Sequence, residues 1–205
     1  MLNKAQTRRL QKYRMALLRL RRMGLTRVFS YTIAGETDES PEIIRKDFSQ
    51  CGIRGNRRGG YLIEETLASL EKLFGREKEQ NVILVGLGNI GVALVKYDGY
   101  KQSNFNLVAA FDIDRSKLSR RFNLPVYGMD HVREVVEAFD VKVAILAVPE
   151  SYAQETCHYL IDCGITGILN FAPVLLKVPS HAMVNNINIM VELERLMYHI
   201  GIKQK

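Results

Sequence analysis

Residues 82–91, Val-Ile-Leu-Val-Gly-Leu-Gly-Asn-Ile-Gly, constrain this 205-residue chain more than any other stretch. Four consecutive apolar residues mark a strand covered on both faces, and they run straight into Gly-x-Gly-x-x-Gly. Gly86 permits a tight turn, Gly88 lets the backbone approach a pyrophosphate, and Gly91 lets a helix pack closely on the strand. The helix opening at Asn89 and Ile90 turns unpaired N–H groups and a positive dipole end toward phosphate. A second apolar run, residues 106–111, ends in Asp112, 21 positions after Gly91. At that spacing a carboxylate accepts hydrogen bonds from an adenosine ribose and favours NAD over NADP. The expectation is a dinucleotide site, with NAD(H) as cofactor.

The pattern from residue 81 onward alternates strand and helix. Strands are expected at 82–85, 107–111, 141–148 and 167–171, and helices near 89–97, 131–139 and 151–163. Apolar β-runs without alternation imply a parallel sheet between helical layers. Ala147, Val148 and Pro149 end one strand, and Asn170, Phe171 and Ala172 end the next. Ligands of parallel sheets sit at carboxyl ends, so both triplets are candidates for the nicotinamide and its ribose. The plainer alternative is that both are strand exits, with proline closing the ladder. Residues 187–200 form a last amphipathic helix with no obvious slot in such a core, which makes a partner subunit its candidate surface.

Charge separates the first part of the chain from the second. Residues 1–80 carry 17 Lys/Arg against 10 Asp/Glu, whereas residues 81–205 carry 12 against 12. The whole formal charge of +7 therefore belongs to the first part, a one-sided field suited to a polyanion. Leu10, Tyr13, Leu17 and Leu20 give one helical apolar face, with Arg8, Arg14, Arg19 and Arg21 mostly outside it. Ser30 is placed to cap a short second helix reaching about Gly35, followed by a polar turn at 36–39. Ser40-Pro41-Glu42 reads as cap, first-turn proline and dipole-compensating acid of a third helix. That helix buries Ile44, Phe48 and Cys51. Three short helices with a tight turn before the third outline a helix-turn-helix. Arg45, Lys46 and Ser49 on the third helix suit guanine edges and phosphates, though the same residue types also make a solvated helix face. Gly52, Gly55, Gly59 and Gly60, interleaved with Arg54, Arg57 and Arg58, read as a wing.

Rival readings of the basic segment are an organellar transit peptide and a membrane-surface helix. Arg19, Arg21 and Arg22 break the only apolar run that approaches a signal peptide or membrane span, so a soluble, cytoplasmic protein with no membrane partner is expected. Cys51, Cys157 and Cys163 form no CxxC pair or His/Cys cluster and read as reduced core residues, with no metal site. The four histidines are scattered, and no Ser/His/Asp or Cys/His arrangement is visible. Only about thirty residues follow Phe171, too few for a dehydrogenase substrate domain. No catalytic residue is assigned, and the chain is expected not to be an enzyme.

These motifs together resemble the Rex family of redox-sensing transcriptional repressors over nearly the whole chain. The likeness rests on Arg9-Leu10 with Tyr13, Arg45-Lys46-Asp47 with Ser49, Gly52, Gly55, Arg57 and Gly60-Tyr61. It continues through 86–91, Phe111-Asp112-Ile113-Asp114, and residues 167–174, Gly-Ile-Leu-Asn-Phe-Ala-Pro-Val. The resemblance implies an α/β chain: a winged helix-turn-helix domain at 1–76, a Rossmann-type domain at 77–185 and an exchanged C-terminal helix at 186–205. It implies a homodimer on operator DNA that NADH releases and NAD+ leaves bound. It adds Arg9 to the DNA-facing residues, puts Tyr97 near the nicotinamide and brings position 188 from the partner helix. Departures include the wing at 51–61, the acidic turn at 36–39, Gln11 in place of a proline, and Asn188 where the family has aspartate. Two rivals remain. One is a small NAD-dependent dehydrogenase, and the other is a Rossmann ligand sensor whose basic domain binds protein or RNA.

Overall fold

The structure is a computed structural model that describes residues 2–56, 58–75, 79–97, 104–118 and 122–203. The chain divides into two compact units, Met1–Lys78 and Glu79–Lys205. The first is helical. Helix α1 (Lys4–Arg22) starts where the Asn3 side chain accepts the Gln6 N–H, which satisfies one of the orphan donors of its first turn. Strand β1 (Arg27–Val28) leads into α2 (Ser30–Thr37) and α3 (Pro41–Gln50). Strand β2 (Tyr61–Leu62) then pairs antiparallel with β1 before α4 (Ile63–Leu73).

Leu10, Leu17, Ile33, Ile44, Phe48 and Leu70 are fully buried in the core of this unit. Each large apolar side chain so buried stabilises by roughly 1.5–3 kcal/mol. Phe48 lies edge-on to both Tyr13 and Tyr61, with ring centroids 5.5 and 5.0 Å away, so the third helix is keyed to the first and to the ribbon.

The turn between α2 and α3 differs in detail from the sequence reading. Helix α2 runs two residues further, to Thr37, and Asp38 ends it in the left-handed region at φ 56°. Phe29, not Ser30, is the cap residue, and it supplies no side-chain bond. Ser30 instead lies inside the helix and accepts from Arg45. Ser40 does cap α3, with Pro41 in the first turn. Arg14, assigned outside the apolar face, is buried and ion-paired to Glu71 at 3.0 Å, which draws its long stem across the α1–α4 contact.

The second unit is a six-stranded sheet, all of whose neighbours are parallel. In chain order its strands are β3 (Gln80–Val85), β4 (Phe105–Phe111), β5 (Val126–Tyr127), β6 (Val143–Leu146), β7 (Gly167–Asn170) and β8 (Met183–Asn186). The spatial order is β5-β4-β3-β6-β7-β8. This is the order of two βαβαβ halves joined at β3 and β6, and a topological switch point lies between those two strands. Helices α5 (Asn89–Val95), α6 (Arg115–Leu118), α7 (Val132–Ala138) and α8 (Glu150–Asp162) connect the strands. Along β3, Val82 and Leu84 enter one apolar cluster and Ile83 and Val85 the other, so both faces are covered.

Two strands of this sheet escaped the sequence reading, as did β1 and β2 of the first unit. Strand β5 has only two residues, and β8 reads Met-Val-Asn-Asn, an edge strand without an apolar run. The expected strand at 141–148 is shorter, because only four of its residues pair with β3 and β7. The last helix, α9 (Ile189–Lys203), begins two residues later than expected. Its apolar side chains, among them Leu193, Leu196, Met197 and Tyr198, are 47–71% exposed. Among the described residues no helix is long and apolar enough to cross a membrane, and no group of three His, Cys, Asp or Glu could hold a metal ion.

Candidate functional site

A cleft of about 560 Å³ opens at the carboxyl ends of β3, β4 and β6. Gly86 starts it at φ +100°, a conformation that L side chains rarely adopt, and a Cβ there would run into the Ala147 carbonyl. A Cβ on Gly91 would fall on the carbonyl oxygen of Gly86, so the third glycine is required by helix–loop contact. Gly88 is different. A Cβ there meets nothing within 4 Å, leaving the space that a close-approaching pyrophosphate needs. The Gly88 carbonyl accepts from Val92, and the earlier N–H groups of α5 have no partner within the helix.

Asp112 lines the cleft at the end of β4, and its environment was not foreseen. It is buried, and its Oδ2 accepts from the Leu87 N–H at 2.7 Å and from the Lys117 ammonium at 3.0 Å. Its Oδ1 accepts from the Asp114 N–H at 2.9 Å. Burial alone would push this carboxyl up, but the Asp114 and Leu87 N–H groups and Lys117 hold it below its ordinary value. The sequence reading made Asp112 an acceptor for an adenosine ribose; the structure holds an acid already engaged by loop and lysine.

Six of the expected cofactor residues line the cleft: Gly86, Gly88, Asp112, Ala147, Val148 and Pro149. Asn89, Ile90 and Gly91 belong to α5 beside it. Tyr97 is 61% exposed two residues beyond that helix. Asn170 and Ala172 do not line the cleft, nor does Phe171. The fully buried Asn170 amide donates to the carbonyls of Ala172 and Val174 and to Asn186 Oδ1, and its own oxygen accepts from the Ala172 N–H. Its side chain ties β7 to β8 and the loop between them, with both of its amide N–H groups committed. Asn188 accepts from the N–H groups of Met190 and Val191, so it caps α9.

The cleft also contains residues beyond those expected to bind the cofactor. Ile113 and Asp114, part of the family likeness, follow the acid directly, and Lys117 lies one helical turn further on. Met129 follows β5, which was too short to recognise. Tyr152, Glu155, Thr156 and Tyr159 recur at three and four residues along α8 and face the cleft, while Ala153, Cys157 and Leu160 face the core. That second periodicity was readable in the sequence. Tyr159 is anchored by donating to the Met129 carbonyl at 3.0 Å, and burial pushes its phenol up.

In the first unit, α3 exposes Arg45, Lys46 and Ser49, and Arg54 is exposed in the following loop. Arg57 lies outside the described residues. Arg45 is 51% exposed and donates to Ser30 Oγ at 2.9 Å and Glu42 Oε1 at 2.8 Å, holding it between the start of α2 and its own helix. Asn56 and Gly60 exchange two backbone hydrogen bonds of 2.8 Å at the loop tip.

Arg9 has an unexpected position. Its guanidinium grips Asp47 through two bonds of 2.7 Å, and Tyr13 and Gln6 also donate to that carboxylate. Burial opposes ionisation of Asp47, but Arg9, Tyr13 and Gln6 outweigh it and hold the carboxyl below its usual range. Burial together with Asp47 pushes the Tyr13 phenol up. Arg9 therefore fastens α1 to α3, and the apparent DNA-facing Arg is in part a brace for the helix that carries Arg45 and Lys46.

Residues 77–174 match a family model described as the CoA binding domain. The chain is 37% identical over 193 residues to the redox-sensing transcriptional repressor Rex of Carboxydothermus hydrogenoformans, covering 94% of this chain and 93% of the relative. It is 34% identical over 198 residues to the repressor of the same name from Desulforamulus reducens, covering 96% and 94%. Among solved structures, RSP in complex with β-NAD+ and operator DNA superposes with a TM-score of 0.92 at 29% identity, over 100% of this chain and 94% of that one. RSP in complex with β-NADH superposes with a TM-score of 0.87 at 28% identity, over 100% and 96%.

Proposed function

The chain belongs to the Rex family of redox-sensing transcriptional repressors, and from that premise we propose that it binds operator DNA as a homodimer, responds to the NADH/NAD+ ratio, and leaves DNA when NADH binds. It is a repressor and not an enzyme, in keeping with relatives named for repression along their whole length. The observation that carries the nucleotide half is convergence. The loop after β3, the acid after β4 and the exit of β6 meet in one cleft at the switch point of the sheet.

In this reading Gly86, Gly88 and the start of α5 hold the pyrophosphate, and Asp112 holds the adenosine ribose. The apolar walls Ile113 and Tyr152 suit an adenine. Ala147, Val148 and Pro149 lead toward the nicotinamide, with Phe171, Tyr97 and a partner's copy of position 188 as further contacts. The nicotinamide supplies a two-electron redox couple whose oxidised ring carries a positive charge.

On the DNA side, α2, its turn and α3 act as the helix-turn-helix, and the loop between α3 and β2 acts as the wing. Arg45 reads a base edge, while Lys46, Ser49 and Arg54 engage phosphate; Arg57 completes the wing. The domains run 1–76, 77–185 and 186–205. The apolar face of α9 is buried on a second copy, and the protein works in the cytoplasm without a metal. A mobility-shift assay with palindromic and random duplexes, with and without NADH, tests the whole reading. Retention of the palindrome alone, and its release by NADH but not by NAD+, is the expected result. Binding indifferent to NADH would overturn the sensing half, and no DNA binding would overturn the repressor half.

A further inference from the structure

Two aromatic side chains flank Ser30 where α2 begins, and neither belongs to the buried core of the first unit. Phe29 and Tyr31 stack with ring centroids 5.2 Å apart and planes 7° from parallel. Phe29 is partly buried, whereas Tyr31 is 65% exposed. A single exposed ring is ordinary on a protein surface. Its position is what gives this one a meaning. Ser30 is buried and accepts from Arg45 of α3 at 2.9 Å, so the recognition helix reaches to the foot of Tyr31. On the other side, a Cβ on Gly60 would stand 3.2 Å from the Phe29 ring, so the returning arm of the wing lies against Phe29. Arg27 donates to the Gly59 carbonyl at 3.3 Å and ties the same arm to β1. Tyr31 thus stands at the seam between the helix that carries Arg45 and the wing.

The first helix of a helix-turn-helix crosses the DNA backbone while the second enters the groove. A side chain at the start of α2, beside Arg45, therefore meets the backbone that borders the groove, where the available acceptors are phosphate oxygens. A tyrosine hydroxyl donates to such an oxygen without bringing a charge. Stacking on Phe29 restricts the Tyr31 ring before DNA arrives, which lowers the entropy lost on contact.

We propose that Tyr31 is a DNA-positioning residue, whose hydroxyl donates to a backbone phosphate beside each half-site while the Phe29 ring holds it in place. The proposal rests on the operator-binding reading and adds to it a neutral contact that fixes the register of α3 in the groove.

Fluorescence anisotropy of the full chain and its Tyr31→Phe and Tyr31→Lys variants tests it. The probes are a palindromic duplex selected by the parent from a randomised pool, and single-base variants of that duplex. Tyr31→Phe keeps the ring and its stack and loses only the hydroxyl, so its thermal melting should match the parent. It is expected to weaken binding about fivefold for each half-site, the scale of one neutral hydrogen bond, and by the same factor on every base variant. The slope of log affinity against log salt is expected to stay at the parent's value, because an uncharged donor displaces no counterion, whereas Tyr31→Lys should steepen it. A methylphosphonate at the contacted linkage should weaken the parent by more than it weakens Tyr31→Phe. A Tyr31→Phe protein that binds like its parent would overturn the proposal, since the hydroxyl would then meet nothing. A loss confined to particular base pairs would also overturn it, because it would make Tyr31 a base-reading residue. Both results leave the repressor reading intact, and a parent that binds no duplex would overturn both.

Discussion

At the scale of single residues, the three glycines of the β3–α5 loop have different duties, and substitution separates them. Gly88→Val places a side chain in open space, so the fold is retained while pyrophosphate approach is blocked. Gly91→Val collides with the Gly86 backbone and unfolds the loop. Calorimetry with NADH should show binding lost in both, and thermal melting should show the parent's stability only in Gly88→Val. A Gly88→Val protein that still binds NADH would remove the pyrophosphate from this loop.

Asp47 offers a prediction with a definite sign. Its folded pKa lies below its unfolded value, so the native state binds fewer protons near that pH. The stability it contributes is fully present above about pH 4 and is lost as pH falls through the depressed folded value. Removing one partner of a buried pair costs on the order of 3–5 kcal/mol. Asp47→Asn should therefore be destabilised at pH 7, and its deficit against the parent should shrink toward pH 3. Urea unfolding across that range measures it, and a deficit independent of pH would mean that the carboxylate's charge is not what matters.

Asn188 caps α9, a role aspartate fills equally well, so Asn188→Asp should fold normally. If position 188 also meets the nicotinamide, the added charge acts on the oxidised ring and the NADH-to-NAD+ affinity ratio shifts mainly through NAD+. An unchanged ratio in paired titrations would leave Asn188 as a cap alone.

Among the elements, α3 carries the DNA prediction. The Arg9–Asp47 grip and the Tyr13–Phe48–Tyr61 ring contacts fix its pose, so Arg45 is presented by a rigid helix rather than a loose one. Arg45→Ala should cost operator binding about 1–3 kcal/mol and relax preference at one base pair. It should also free Glu42, which is exposed and readily resolvated, and leave the buried Ser30 hydroxyl without the Arg45 donor. Affinity measured over a salt series with operator variants checks this. If the mutant discriminates like its parent, the base-reading residue lies elsewhere on the helix or wing. The sheet elements show how local pattern succeeds and fails. Strands β3 and β4 declare themselves because burial on both faces demands apolar runs. Strands β5 and β8 are short or on an edge, pair mainly through backbone, and need no such run.

For the whole molecule, α9 is the outstanding feature, with a row of apolar side chains 47% or more exposed. An exposed apolar face of this length points to association. Sedimentation is expected to report a dimer, and truncation before Asn186 should give monomers or aggregates. A soluble dimer that survives truncation would place the interface elsewhere.

The sequence by itself determined the glycine loop, the parallel α/β core, the basic helical segment and the family, because each rests on local period, spacing or composition. Tertiary structure alone decided what the charged and polar side chains do. Arg9 became a brace, Asn170 a buried tie and Asp112 a lysine-bound acid, because their partners lie 38, 16 and 5 residues away in the chain. Hydrophobic periodicity records which face is buried, but it holds no record of which buried carboxylate meets which cation. That pairing is set only when helices and strands pack, since a charge removed from water must find its partner in three dimensions.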